Sequence, residues 1–118
     1  MSVTLHAFLV RKPELTHEEF LSYWRDRHGP LIRDTPALAR HLIRYEQHGS
    51  LPGAQAGSDF DGVAVQVFAS WDEFLAMLAE PEADLMREDE KNFLDSDKLQ
   101  ILFSEDVVTM VGDPAGGH

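Results

Sequence analysis

Six histidines and no cysteine set the first limit on the chemistry open to this sequence. Without cysteine there is no disulfide framework, no thiolate metal site and no cysteine nucleophile. His6, His17, His28, His41, His48 and His118 form neither H-x-x-x-H nor H-E-x-x-H on a helix, so no metal site is expected. His28 is the strongest candidate for catalysis. Phe20, Trp24 and His28 recur at i, i+4 and i+8, which places them on one face of a helix. An imidazole has the ordinary pKa nearest neutrality and can both take and return a proton. A helix C-terminus at His28 would favour its charged form, whereas burial would oppose it. The alternative role for His28 is to cap the helix end on a carbonyl. Trp24 can wall a pocket for an aromatic ligand or fill the core with its indole bonded to one acceptor. Phe20 is a candidate for the same wall or for plain core. Tyr23 sits about 100° off the stripe, at a pocket edge or on the surface.

Further candidates lie on strands. Tyr45 and His48 differ in parity, so a regular strand sends them to opposite faces and one pocket cannot easily use both. The Tyr45 hydroxyl can hold a carbonyl or phenolate oxygen. His6 sits in an apolar strand and joins either a cavity or an interface between copies, or is a core histidine with a satisfied partner. Asp61, next to Gly62, can orient an imidazole or shape a turn. Gln66 is the single polar residue of the run VAVQVFA, a donor to a ligand or to a neighbour across the sheet. Gly62 and Ala64 share its strand face and leave room for a cavity.

The elements that must position these groups follow from pattern and punctuation. Residues 3–10 are apolar at nearly every position and read as a strand buried on both faces. After Pro13, Thr16 and Glu19 form a T-x-x-E capping box. A helix is expected over residues 17–28, stopped by Gly29-Pro30. Thr35-Pro36 opens a short helix to about residue 41. Strands follow over residues 43–51 and 63–69, separated by a loop rich in Gly, Ala, Ser and Asp. Ser70 and Glu73 make a second box, starting a helix that runs to about Ala79 before Pro81. Another helical stretch is expected over residues 82–94, with Leu85, Met86, Phe93 and Leu94 as its apolar set. The last strand combines residues 99–103 and 107–111. Residues 1–112 make one domain and residues 113–118 a flexible tail.

The chain has 118 residues and a formal net charge of -11. The acid is concentrated in residues 51–118, whose three basic residues face fifteen acidic ones; a long solvated acidic helix accounts for it. Such a balance argues against nucleic acid and against an anionic membrane surface as partners. No apolar run reaches the roughly 20 residues that span a bilayer, and no basic segment precedes the first apolar stretch as in a secretory signal. A cytoplasmic location is expected. No glycine-rich phosphate loop follows a strand and no G-x-S-x-G elbow is present.

The order β-α-(α)-β-β-α-(α)-β is that of the ferredoxin-like split βαβ fold, an α+β antiparallel sheet with its helices on one face. The first and third strands are nonetheless apolar on both sides. Each Val or Leu left wet forfeits roughly 1.5–3 kcal/mol. A second copy packing sheet against sheet removes that loss, so a homodimer with an isologous interface is expected.

The stretch THEEFLSYWRDRHGPL, residues 16–31, resembles the signature helix of the EthD family, within the dimeric α+β barrel superfamily. Tyr45, Asp61-Gly62 and the segment DEKNFLD at residues 89–95 support the resemblance more weakly. It covers residues 3 to about 111. What it implies is a small enzyme of a degradation or biosynthetic pathway that needs no cofactor and acts on an aromatic, lactone or polyketide-like molecule. Between Tyr45 and His48, the resemblance favours Tyr45. General acid/base transfer by His28, typically worth about 10²–10⁴-fold, would serve isomerisation, cyclisation, decarboxylation or cofactor-free oxygenation. Tyr45 would steady the oxyanion. Two other readings stand beside it: a haem-dependent or haem-degrading monooxygenase, and a noncatalytic ligand-binding accessory protein.

Overall fold

The computed structural model describes residues 1–113. Strand β1 (Val3–Leu9) is followed by helix α1 (His17–Tyr23). The Thr16–Glu19 box is closed in both directions, with the Glu19 amide donating to the Thr16 hydroxyl and the Thr16 amide to the Glu19 carboxylate. The helix does not end at Gly29-Pro30. It widens into a π turn (Trp24–His28) and continues as α2 (Gly29–Arg33). Proline has no N–H to give and its ring crowds the carbonyl four residues back. A wide turn relieves both problems, because the Gly29 amide reaches back to the Trp24 carbonyl and Pro30 falls in the first turn of α2. His28 is therefore interior to a helical run, and a stabilising helix C-terminus does not lie beside it.

Helix α3 (Pro36–Ala39) and strand β2 (Arg44–Gly49) come next. A short 3₁₀ turn (Gly53–Ala56) lies in the loop before β3 (Gly62–Phe68). Helix α4 (Trp71–Ala79) is capped by the Ser70 hydroxyl. Helix α5 spans Ala83–Glu90, shorter than the pattern suggests, and the turns after it fold Phe93 and Leu94 into the core while Leu85 stays exposed. Strand β4 (Gln100–Ser104) ends the sheet. Residues 107–111, expected to extend it, are exposed and outside any strand. Ser104 already pairs with Thr4, one residue from the end of β1, so no ladder remains for them to join. Of the expected tail, residues 114–118 lie outside the described residues.

The four strands lie in the order β2-β3-β1-β4, every neighbouring pair antiparallel. The helices cover one face. Leu5, Ala7 and Leu9 of β1 and Ala64 and Phe68 of β3 pack there with Phe20, Trp24, Met77 and Phe93. Thr4, His6 and Phe8 project to the other face beside Val63, Val65 and Val67, which are only half-buried in the single chain. Small residues make room under the helices. A Cβ on Gly62 would lie 2.5 Å from the Trp24 ring, so only glycine lets the indole rest on β3. Among the described residues no helix is long and apolar enough to cross a membrane.

Candidate active site

Between the helices and the sheet lies a cavity of about 250 Å³. Its wall is mostly apolar. The polar groups that reach it are His28 from the π turn, Tyr45 from β2, Gln66 from β3, and Arg87 and Glu90 from α5. A mostly apolar pocket with few convergent polar groups is what small-molecule sites require.

His28 is buried, with its ring 4.7 Å from that of Phe93. Its Nδ1 lies 2.8 Å from Oδ2 of Asp89. A carboxylate only accepts, so Nδ1 carries the proton and donates it. In the neutral ring Nε2 is then the basic nitrogen. Burial pushes the His28 pKa down, against the Asp89 hydrogen bond and charge that push it up, and the net shift is downward. The ring is held as a neutral base.

Asp89 is itself held from behind. The Tyr23 hydroxyl donates to its Oδ1 at 2.5 Å, and the Asn92 amide donates to the same oxygen at 3.2 Å and to the Tyr23 hydroxyl at 3.0 Å. Burial would raise the Asp89 carboxyl, but the bonds from Tyr23, His28 and Asn92 outweigh it and hold it below the usual carboxylate range. Burial and the bond to Asp89 in turn raise the Tyr23 phenol. The result is a connected relay, Asn92/Tyr23–Asp89–His28, that fixes the tautomer and orientation of the imidazole at the cavity wall.

Tyr45 pairs with Gln66 across the ladder and shares its sheet face. Its hydroxyl accepts from the Gln47 amide at 3.0 Å, and the same amide donates to the Trp24 carbonyl at 2.8 Å. Burial raises the Tyr45 phenol, with the Gln47 and Trp24 side chains opposing. It stays a neutral O–H whose own proton has no acceptor among the described residues. Gln66 is buried, and its amide likewise has no protein partner among them.

The other candidates are placed elsewhere or in supporting positions. Trp24 lines the cavity; Phe20 is fully buried behind it, its ring tilted against those of Trp24 and Phe93. Tyr23 bonds to Asp89 and is not part of the wall. Asp61 orients an imidazole, but that of His17, 2.8 Å away, and it also accepts from the Arg11 amide and guanidinium. Those bonds overcome the effect of burial and lower the Asp61 carboxyl. The cluster fastens the start of α1 to β1 and β3, away from the cavity. His6 lies on the opposite face of the sheet, 3.1 Å from the Ser104 hydroxyl. His48 also faces that side, in register with Val63.

Four groups at the site are not among the sequence candidates: Arg87 and Glu90 on the cavity wall, and Asp89 and Asn92 in the relay. All four sit in an acidic stretch that reads as solvated. The available signal is periodic: Ala83, Met86, Glu90 and Phe93 recur at helical spacing, which puts a carboxyl on the apolar stripe. Burial raises the Glu90 carboxyl to about 7, with Arg87 opposing and Asp89 adding to the shift. Among the described residues no group of three or more His, Asp or Glu is arranged to hold a metal ion.

Comparison with known proteins agrees with this architecture. The fold matches an EthD family protein from Bacillus halodurans at a TM-score of 0.69, with 19% identity over 91% of this chain and 100% of that one. A dimeric ferredoxin-like protein of unknown function from Bacteroides fragilis gives 0.67, with 12% identity over 89% and 96%. The hydroxynitrile lyase of Passiflora edulis gives 0.66, with 17% identity over 95% and 97%. None of the curated proteins is similar enough in sequence to match. The EthD domain matches residues 12–97, within which fall the capping box, the π turn, His28 and the Asp89 that holds it, and the chain belongs to the EthD family.

Proposed function

We propose that the chain is a cofactor-independent enzyme that moves a proton on a small aromatic, lactone or polyketide-like molecule. The observation that carries this reading is the Tyr23–Asp89–His28 relay ending at a mostly apolar cavity. In it, His28 Nε2 removes a proton from a phenol or from carbon next to a carbonyl, and Asp89 stabilises the imidazolium that forms. The Tyr45 O–H receives the developing oxyanion, and Trp24 and Gln66 seat the ligand. Proton removal of this kind serves isomerisation, cyclisation, decarboxylation or oxygenation of an electron-rich anion. The likeness in fold to a hydroxynitrile lyase is compatible with lyase chemistry. A cavity of about 250 Å³ is below the roughly 300–1,000 Å³ of drug-sized ligand sites, which weighs against a tetrapyrrole as the occupant. The open sheet face is the proposed interface with a second copy of the chain.

The test is a panel of phenols, lactones, aromatic ketones and hydroxynitriles, assayed with wild type, His28→Asn and His28→Ala. Turnover of at least one compound is expected, with loss of about 10²–10⁴-fold in either variant while circular dichroism stays unchanged. Folded variants that keep full turnover would remove His28 from the chemistry. A wild type that binds panel compounds but turns none over would make the chain a ligand carrier.

A further inference from the structure

Glu90 is a carboxyl group placed where an apolar side chain would ordinarily sit. It shares the cavity wall with His28 and Tyr45. Among the described residues no donor reaches its carboxyl oxygens. The nearest cation on its own helix, Arg87, is committed elsewhere, to Asp84 at 2.8 Å and to the Leu78 carbonyl at 3.0 Å. The titratable groups around it are His28 from the π turn, Tyr45 from β2, and Arg87 and Asp89 from α5; β1, β3, α4 and β4 contribute apolar side chains and Gln66. A half-buried carboxyl on an apolar wall, with no donor in reach, is stabilised by keeping its proton, and a protonated carboxyl is a donor.

We propose that Glu90 is a second catalytic residue, a protonated acid that donates to the carbonyl oxygen of a neutral ligand whose adjacent carbon faces His28. This rests on the proton-transfer reading above and narrows it to carbonyl compounds that pass through an enol. His28 Nε2 takes the proton from the carbon next to the carbonyl. The C–H electron pair becomes the new C=C bond, and the carbonyl π pair takes the proton of Glu90. An enol, an imidazolium and a carboxylate result. Where the carbonyl compound is β,γ-unsaturated the enol is a dienol. Return of the His28 proton to its γ-carbon moves the double bond into the α,β position while Glu90 recovers its own proton from the enol oxygen, which yields the conjugated isomer and restores both groups. No electrons leave the system. The opposed preferences of the two sites, a histidine pushed down and a glutamate pushed up by the same burial, suit a base and an acid working together.

The experiment measures the affinity of acetophenone, a neutral aryl ketone, by nuclear magnetic resonance titration from about pH 6 to about pH 8.5. Wild type should bind about tenfold more weakly at the upper end, where the carboxyl has lost the proton it donates. Glu90→Gln keeps a donor that does not ionise, so its affinity should not change with pH. His28→Asn should retain the wild-type fall. A flat wild-type profile, or a fall that persists in Glu90→Gln or vanishes in His28→Asn, overturns the assignment of Glu90 while leaving the cavity as a ligand site. Absence of acetophenone binding at either pH overturns the assignment of Glu90 and the narrowing to carbonyl compounds, and leaves the wider proton-transfer reading to the panel above.

Discussion

Oδ2 of Asp89 meets Nδ1 of His28 at 2.8 Å, joining α5 to the π turn across 61 residues of sequence. The contact decides which ring nitrogen is basic. An asparagine at position 89 can offer its NH₂ to Nδ1 and so favour the opposite tautomer. Asp89→Asn is therefore expected to lower turnover by about 10²–10⁴-fold, as happens when the carboxylate of a catalytic triad is replaced, with the fold intact. Tyr23→Phe should cost less, since it removes only one of the bonds holding Asp89. Nitrogen-15 spectra of the imidazole provide a check independent of any substrate: wild type should show Nδ1 protonated, and Asp89→Asn a shift toward Nε2. An unchanged spectrum in the variant would separate Asp89 from tautomer control.

Gly62 is the packing counterpart of that relay. Its missing side chain is where the Trp24 ring rests, and a Cβ there would also meet the His48 carbonyl at 3.0 Å. Neither the sheet backbone nor a fully enclosed indole can easily retreat. Gly62→Ala should destabilise the chain by roughly 1–3 kcal/mol, the usual cost of overpacking, and should shift the Trp24 fluorescence as the ring moves. Urea denaturation gives the first number. A loss below about 0.5 kcal/mol would mean that the indole has room to spare.

Much of this arrangement was legible in the sequence, and the remainder was hidden for physical reasons. The two capping residues, Thr16 and Ser70, announce their helices because a side-chain oxygen before a helix start has one obvious use. The period linking Trp24 to His28 leads to the cavity wall, and parity on β2 separates Tyr45 from His48. The π turn is not legible, because Gly29-Pro30 is a stop signal unless the preceding turn widens. Asp89 and Glu90 are masked by the acidic residues around them, since charge on a helix usually means water. Asp61 can orient an imidazole, but only the fold shows that the ring is that of His17. Residues 107–111 have a strand composition and no strand to pair with.

Glu90 also carries a pH signature in stability. Its carboxyl rises from the ordinary 4.5 to about 7 on folding, so the folded chain holds this proton more tightly than the unfolded one. The stabilisation is complete below about 4.5 and is lost as pH climbs through about 7. Glu90→Gln removes the half-buried charge that wild type must carry in alkali. The variant should match wild type near pH 4 and exceed it above pH 8 by roughly 2 kcal/mol, after allowance for the opening of the cavity to solvent. Thermal unfolding at the two pH values measures the difference. Equal stability at both would show that the charge is accommodated without cost.

The uncovered face of the sheet leads to a different measurement. Val65 sits at its centre, in register with His6 of β1 and Glu46 of β2, and Val63, Val67 and Phe8 share its side. On β4 the same face presents Leu102, which is 55% exposed in the single chain. Apolar side chains on a sheet surface gain roughly 25 cal/mol for each Å² removed from water, and a self-complementary face gains it twice over in a twofold dimer. Sedimentation at about 10 μM should therefore give a dimer for wild type, since linked folding and association favour the assembled form at such concentrations. Val65→Lys puts a charge where two sheets would meet; even with Glu46 opposite it, taking the pair out of water costs several kcal/mol. That variant should sediment as a folded monomer with circular dichroism close to wild type. A wild type that is already monomeric, or a Val65→Lys protein that remains dimeric, would place the contact between copies on another surface.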